Sequence, residues 1–430
     1  MKKSLVLLLI AVVAAGAFAQ SFDFSGQIFG NAILGAGTNG KDANGDSIDP
    51  TAGGTMGRIR FNANAVDKDG IFGAWARFQS GWSLNTSKLG DPAGALFTFD
   101  GQGGAVAMYG YAFWKPVEMF RLQVGVNPSG EFSDTCVADW DFYDLAGDVG
   151  VVQENWLFEN AFYAGFSSPG SLITLTPAEA VEINIAVPFE DMNGSLASDV
   201  YKNTNARIAY TIDGVGKVAV TYAGGSADTI NYDDSGSVVT GSNGGTFFGY
   251  FNYDSIDNLN LELGVGYQLA VTDNTILNKD QKYTSPVSVG LGVTYDVNEQ
   301  FGFKVRVMGQ FGQKFSPVTG DDQNGPTVVV ADILPYYAIS DTFKFYLSAG
   351  INFTKPDSDK VTVFNSLGSS DNIIGWHVNP YVSKAIGDGA FIAGVRIDSD
   401  GLNYKNGTAV IKDGDKVINW SIPIAVSYSF

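Results

Sequence analysis

The last twelve residues alternate without a break. The even positions are Trp420, Ile422, Ile424, Val426, Tyr428 and Phe430, and the odd ones are Asn419, Ser421, Pro423, Ala425, Ser427 and Ser429. A period of two describes a strand with one apolar face and one small or polar face. The pattern recurs upstream. Phe301, Phe303, Val305, Val307 and Phe311 alternate with Gly302, Lys304, Arg306, Met308 and Gln310. Phe343, Phe345, Leu347, Ala349 and Ile351 oppose Lys344, Tyr346, Ser348, Gly350 and Asn352, and 259–269 behaves alike. Charged residues keep to the second face. No long stretch beyond the first 19 residues has the 3.6-residue period of a helix, so the chain is predicted to be all-β.

Turn chemistry divides the connections into two kinds. Eight short ones fall at Asp67–Gly70, Pro116–Glu118, Pro177–Ala178, Asp213–Val215, Ser255–Asp257, Asn298–Glu299, Ser340–Asp341 and Gly387–Asp388. Between them lie nine longer polar stretches, at 36–55, 83–103, 128–159, 189–203, 226–244, 271–284, 314–325, 354–372 and 399–416. Eight turns and nine loops join eighteen strands in an up-and-down order. The weakest segment is 160–188, where Ser167 to Gly170 interrupts the alternation; one hairpin more or less there gives sixteen or twenty strands. Short turns at one end and long loops at the other are the asymmetry of transmembrane antiparallel β-barrels.

Alternation alone does not tell inside from outside, and a soluble all-β repeat protein would alternate too. The two ends of the chain weigh for the membrane. Lys2 and Lys3 precede an apolar run from Leu5 to Ala15, and Ala17-Phe18-Ala19 then has the form of a leader-peptidase site. Residues 1–19 are therefore expected to be a signal peptide and 20–430 the barrel, with the first strand beginning at Phe22 and Phe24. At the other end, Trp420, Tyr428 and the final Phe430 resemble the C-terminal assembly signal of outer-membrane proteins, which implies passage through an outer-membrane assembly machinery. The leader and the glycine-rich style are similar to those of spirochaete outer-membrane proteins.

Composition narrows the partners. The formal charge of −19 becomes −21 once Lys2 and Lys3 leave, which excludes nucleic acid as a partner, since binding it takes clustered cations. The 53 Gly, 30 Phe and 19 Tyr suit strands and interfaces rather than a helical enzyme. Cys136 is the single cysteine, so neither an intrachain disulfide nor a cysteine metal site is expected. Asp42-Ala-Asn44-Gly-Asp46 starts like a calcium loop, but Ser47 and Gly53 stand where glycine and an acid belong. His377 is the one histidine, set in a plain alternating strand with no nucleophile motif beside it. No catalysis, metal or cofactor is expected.

The candidate chemistry lies in the charged positions. All seven arginines, Arg58, Arg60, Arg77, Arg121, Arg207, Arg306 and Arg396, fall within strands on the face opposite the apolar set, as does Lys304. Four of them belong to the second, third and fifth strands and are expected on one sector of the wall. The longest loop carries Glu131, Asp134, Asp139, Asp141, Asp144 and Asp148, with no lysine or arginine from 127 to 160. An acidic loop opposite a basic wall sets up a transverse field across a pore. This arrangement resembles the general diffusion porins, whose third long loop folds inward against wall arginines and which assemble as trimers. Eighteen strands is instead the count of the sugar-specific porins, which line their path with aromatic residues; Trp75, Trp114, Trp140, Phe142 and Tyr143 are candidates for such a path. The resemblance implies an outer-membrane channel for passive diffusion of ions and small hydrophilic solutes, in which acidic loops favour cations at the mouth and the arginines oppose that preference. A sugar-specific transporter and a surface adhesin built on a barrel are the alternatives.

Overall fold

The computed structural model describes residues 21–39, 46–47, 49–50, 55–84, 107–126, 169–188, 204–224, 229–232, 238–241, 246–268, 282–284, 287–311, 314–316, 323–324, 327–355, 373–399, 402–405, 408–411 and 418–430. Eighteen strands form one sheet: β1 (Ser21–Thr38), β2 (Thr55–Val66), β3 (Phe72–Leu84), β4 (Ala107–Val117), β5 (Phe120–Val126), β6 (Pro169–Ala178), β7 (Val181–Pro188), β8 (Asn205–Ile212), β9 (Gly216–Ala223), β10 (Thr246–Ile256), β11 (Leu259–Gln268), β12 (Val287–Asp296), β13 (Phe301–Phe311), β14 (Thr327–Ser340), β15 (Phe343–Lys355), β16 (Ile373–Ile386), β17 (Gly389–Gly394, continued by Arg396–Ser399) and β18 (Asn419–Ser429). Each strand pairs antiparallel with its sequence neighbour, and β1 pairs with β18, so the sheet closes on itself. Closure leaves no strand edge unsatisfied, the condition for a sheet to stand in hydrocarbon. The long connections also form three small sheets of their own, among them Thr229–Tyr232 with Val238–Gly241 and Leu402–Lys405 with Thr408–Ile411.

Burial runs opposite to that of a soluble protein. Apolar side chains such as Phe24, Val124, Val265, Ile351 and Val426 are exposed on the outer face. Their neighbours one residue away on the inner face are polar and closed off: Gln123, Ser288, Arg306 and His377 have at most 2% of their surface exposed. That contrast settles the direction of the alternation, with the apolar face outward. In β18, Trp420, Ile422, Val426, Tyr428 and Phe430 are exposed, whereas Ser421 and Ala425 are buried.

The eight short connections all lie at one end, with residue-specific causes. Asp67 Oδ1 accepts from Ile71 N at 2.7 Å and Phe72 N at 3.2 Å, and Asn298 Oδ1 accepts from Gln300 N and Phe301 N. Both are side-chain mimics of a backbone turn. Asn258 turns β10 into β11 at φ 65°, in the left-handed region that asparagine tolerates better than other non-glycine residues. Four turns sit a residue or two beyond their sequence-based positions. At Glu118-Met119 and Glu179-Ala180 the strands run on through Pro116 and Pro177, because register shifts (Trp114/Val117 and Leu175/Ala178) accommodate a residue that cannot donate to the ladder. The others fall at Asp257-Asn258 and Asp341-Thr342. The uncertain 160–188 stretch supplies one hairpin, β6–β7, starting at Pro169. Within β18, Pro423 pairs with Ile33 at the edge of a bulge in β1.

Candidate functional site

The inner wall divides into two unlike halves. Strands β2 to β6 contain no aspartate or glutamate, yet carry Arg58, Arg60, Arg77, Lys115 and Arg121. Their registers place Arg60 opposite Gln27 and Gln79, and Arg77 opposite Asn62 and Tyr109. Arg77 Nε donates to Asn62 Oδ1 at 2.8 Å, and its guanidinium stands 5.0 Å from the centre of the Trp75 ring. Trp75 stacks on Tyr111 of β4, centroids 5.5 Å apart and planes 23° from parallel. Arg121 of β5 then lies 5.8 Å from the Tyr111 ring and 4.5 Å from that of Phe113. The result is a chain of alternating rings and cations along the wall, in which each guanidinium is held face-on by an aromatic quadrupole. Gln123, opposite Phe113 and Leu172, is buried beside it.

From β7 onward Arg207, Lys304 and Arg306 have acidic neighbours, while Lys217, Lys344 and Lys384 lie over the rings of Tyr250, Tyr336 and Phe343. Arg207 Nη1 meets Glu182 Oε1 at 2.6 Å and Asn184 Oδ1 at 2.9 Å. Glu262 accepts from the Tyr250 hydroxyl at 2.9 Å, with Lys304 acting on it electrostatically. Arg306 is paired through Nε with Asp332 Oδ2, both almost wholly buried. Direct cross-strand pairing carries this row onward, from Arg306 to Asp332, Gly350, His377, Asp398 and Asn419, and Asn419 Nδ2 donates to Asp398 Oδ1 at 3.1 Å. Below it the wall is thickened by a closed cluster of Phe29, Leu334, Tyr381, Ile392 and Ala425, where Tyr346 and Tyr381 stack at 4.6 Å. His377 Nε2 faces both Ser348 Oγ at 3.2 Å and Asp332 Oδ1 at 3.7 Å. A hydrolytic relay needs the serine and the acid on different ring nitrogens; here both face one, inside a buried polar network.

The sequence-derived arginines thus separate. Arg60, Arg77 and Arg121 lie in the β2–β5 sector as expected, with Arg58 in the same strand as Arg60. Arg207, Arg306 and Arg396 belong to the buried half, and Lys304 stands two residues from Arg306 in β13. Glu131, Asp134, Asp139, Asp141, Asp144 and Asp148 lie outside the described residues, as do Cys136, Trp140, Phe142, Tyr143 and residues 1–20. Trp114 is corrected. It faces outward, 41% exposed and stacked on Phe72, because it sits on the same face as Ala112. The inward aromatics that pattern reading missed are Tyr111 and Phe113. β4 carries large aromatics on both faces, so alternation of size gives no signal there.

No protein family matches the chain by sequence, and no curated protein does. In three dimensions it is similar to outer-membrane channels. OprD of Pseudomonas aeruginosa is 10% identical with a TM-score of 0.53, over 96% of this chain and 96% of that one. OpdQ of the same organism gives 10% and 0.53 over 96% and 98%, and the outer membrane channel DcaP of Acinetobacter baumannii 9% and 0.50 over 95% and 97%. At these identities the likeness is one of fold: the chain has the eighteen-stranded fold of the outer-membrane porins.

Proposed function

We propose that this protein is an outer-membrane channel for passive diffusion of ions and small hydrophilic solutes. The observation that carries the reading is the inverted burial, with apolar side chains exposed around a closed eighteen-stranded wall and polar ones inside it. Barrels of sixteen to eighteen strands are wide enough to leave an aqueous path. In this reading residues 1–19 are a leader removed on export. The loop at 128–159 folds inward, so that Glu131, Asp134, Asp139, Asp141, Asp144 and Asp148 face the Arg58, Arg60, Arg77 and Arg121 sector across the path. The buried pairs of the opposite half stiffen the wall rather than line the conduction route. A field across the constriction orients dipolar solutes and slows apolar ones.

Reconstitution of the purified barrel into a planar bilayer tests the proposal. Stepwise ohmic conductance is expected, and a barrel that inserts but carries no current overturns it. A sugar-specific channel is the second reading, favoured by the inward Trp75–Tyr111 stack. It predicts concentration-dependent block of the current by an oligosaccharide.

A further inference from the structure

We propose that the short-turn rim of the barrel, along the arc from the β10–β11 turn to the β16–β17 turn, is a docking surface for a basic amphipathic helix of a partner protein. The surface lies outside the conduction path, so it adds to the channel reading without resting on it. Four successive turns each present one aliphatic side chain to solvent: Ile256, Val297, Ile339 and Ile386, all between 45% and 63% exposed. Tyr253, Tyr295 and Tyr337 are the last aromatics in the outward rows of β10, β12 and β14. Ile256 stands three residues beyond Tyr253, Val297 two beyond Tyr295 and Ile339 two beyond Tyr337. Outward tyrosines mark the level of the membrane–water interface, so the aliphatic groups past them reach the water side. Apolar side chains repeated along one wet rim mark an interaction surface.

Charge complementarity names the occupant. Ile256 lies between Asp254 and Asp257, Val297 between Asp296 and Glu299, Ile339 two residues before Asp341 and Ile386 two before Asp388. Residues 254–258, 296–300, 339–342 and 384–388 hold these six carboxylates and one lysine, Lys384, whose Nζ donates to Thr342 Oγ1 at 2.9 Å. Carboxylates beside every aliphatic group oppose insertion into hydrocarbon and are repelled by anionic headgroups, so lipid is not the cover. They attract Lys and Arg and repel an acidic partner. The rim is also held in shape in advance. Backbone hydrogen bonds tie each turn to the next hairpin: Asp296 N to Asn258 O at 2.9 Å, Ala338 N to Gln300 O at 2.6 Å and Ala385 N to Thr342 O at 2.8 Å. A surface ordered before binding loses little entropy when the partner arrives. Successive hairpins stand two strand spacings apart, about 10 Å, close to the rise of two α-helical turns, about 11 Å. A helix with an apolar residue at every seventh position therefore meets the four aliphatic side chains in step. Lys or Arg beside each of those positions then meets the carboxylates.

The test uses the full mature barrel in phosphatidylcholine nanodiscs, with binding of labelled synthetic peptides followed by fluorescence anisotropy. The probe is a helical peptide about 22 residues long, with leucine at every seventh position and lysines beside each. A second peptide has the same composition in scrambled order, a third has glutamate for lysine, and empty nanodiscs report binding to lipid alone. The patterned basic peptide is expected to bind barrel-loaded discs about tenfold more tightly than empty ones, and about tenfold more tightly than the scrambled peptide does. The glutamate peptide should bind loaded and empty discs alike. Ile339→Ser should weaken the patterned peptide about tenfold, the change that partial burial of one aliphatic side chain supplies. Glu299→Gln with Asp341→Asn should flatten the fall of its affinity with salt. If a variant does not fold, the peptide comparison on the unaltered barrel still decides. Equal affinity for loaded and empty discs, or equal affinity of the patterned and scrambled peptides, overturns the inference. Conductance plays no part in this readout, so either outcome leaves the channel reading to its own test.

Discussion

Asp332 of β14 and His377 of β16 belong to strands separated by β15, yet their side chains meet. The residue between them in both registers is Gly350. A methyl group added there would overlap Asp332 Oδ1 and come within 2.6 Å of His377 Cε1. The missing side chain is what lets the Arg306–Asp332–His377 row form across four strands. Gly350→Ala is therefore expected to push Asp332 off Arg306 and lower stability. A buried pair broken by loss of one partner costs about 3–5 kcal/mol, so Asp332→Asn should approach that figure and Gly350→Ala should fall between it and zero. Urea titration in detergent, followed by the loss of strand circular dichroism, measures both. An unchanged midpoint for Gly350→Ala would show that the row tolerates the methyl by shifting. Nothing in the alternation marks Gly350 out, since it follows Ser348 as one more small inward residue. Its role depends on which residues lie opposite it, and register across nonadjacent strands is not written in any single strand.

The seam between β1 and β18 closes the barrel, and its chemistry is local. Phe430 exchanges two backbone hydrogen bonds with Gly26, its N to Gly26 O at 3.0 Å and Gly26 N to its O at 2.8 Å. Its ring packs with Phe24, Phe61 and Tyr428 at about 6 Å on the outer face, directly over the site where Gly26 lacks a Cβ. Removing the ring with Phe430→Ala forfeits three aromatic contacts worth about 0.5–1.5 kcal/mol each beyond burial, and Gly26→Val overlaps it instead. Both are expected to lower the yield of heat-modifiable barrel on a gel, Gly26→Val by distorting the seam although the terminal aromatic is retained. On the outward face of β11, Val265→Arg should cost up to about 2–4 kcal/mol if it sits near the bilayer midplane. A substitution without effect there would contradict the outward assignment. Elements of this kind are legible before any coordinates, because turn residues and period-two alternation are local. All eight short turns and the strand count are readable in that way, whereas the exact turn residues shift where Pro116 and Pro177 are carried inside strands. β4 is the case where legibility fails. With Trp114 outward and Tyr111 and Phe113 inward, apolarity no longer separates its faces, and only the pairing with Trp75 and Phe72 does.

On the scale of the whole barrel, charge is segregated in a way that only the neighbourhood of strands reveals. The sequence places arginines on the inner face but does not say which are matched. Pairing across β7–β8 and β13–β14 joins Arg207 to Glu182 and Arg306 to Asp332, and leaves the β2–β6 sector with cations facing aromatic rings. If the acidic loop at 128–159 folds across that sector, its carboxylates set the sign of the field along the path. Replacing Glu131, Asp134, Asp139, Asp141, Asp144 and Asp148 together by their amides should then move the reversal potential in a salt gradient toward the anion side. Salt concentration separates this from a charge effect at the outer mouth. Charges in the mouth act through bulk solution, where the Debye length is about 10 Å at 0.1 M and about 3 Å at 1 M. Charges that line a constriction a few ångströms from the permeating ion are screened much less. A shift that persists at 1 M places the carboxylates beside the ion path, facing the arginines. A shift present at 0.1 M and gone at 1 M means that the loop caps the barrel from outside; the β2–β6 wall would then be the main charged surface met by a solute inside the barrel.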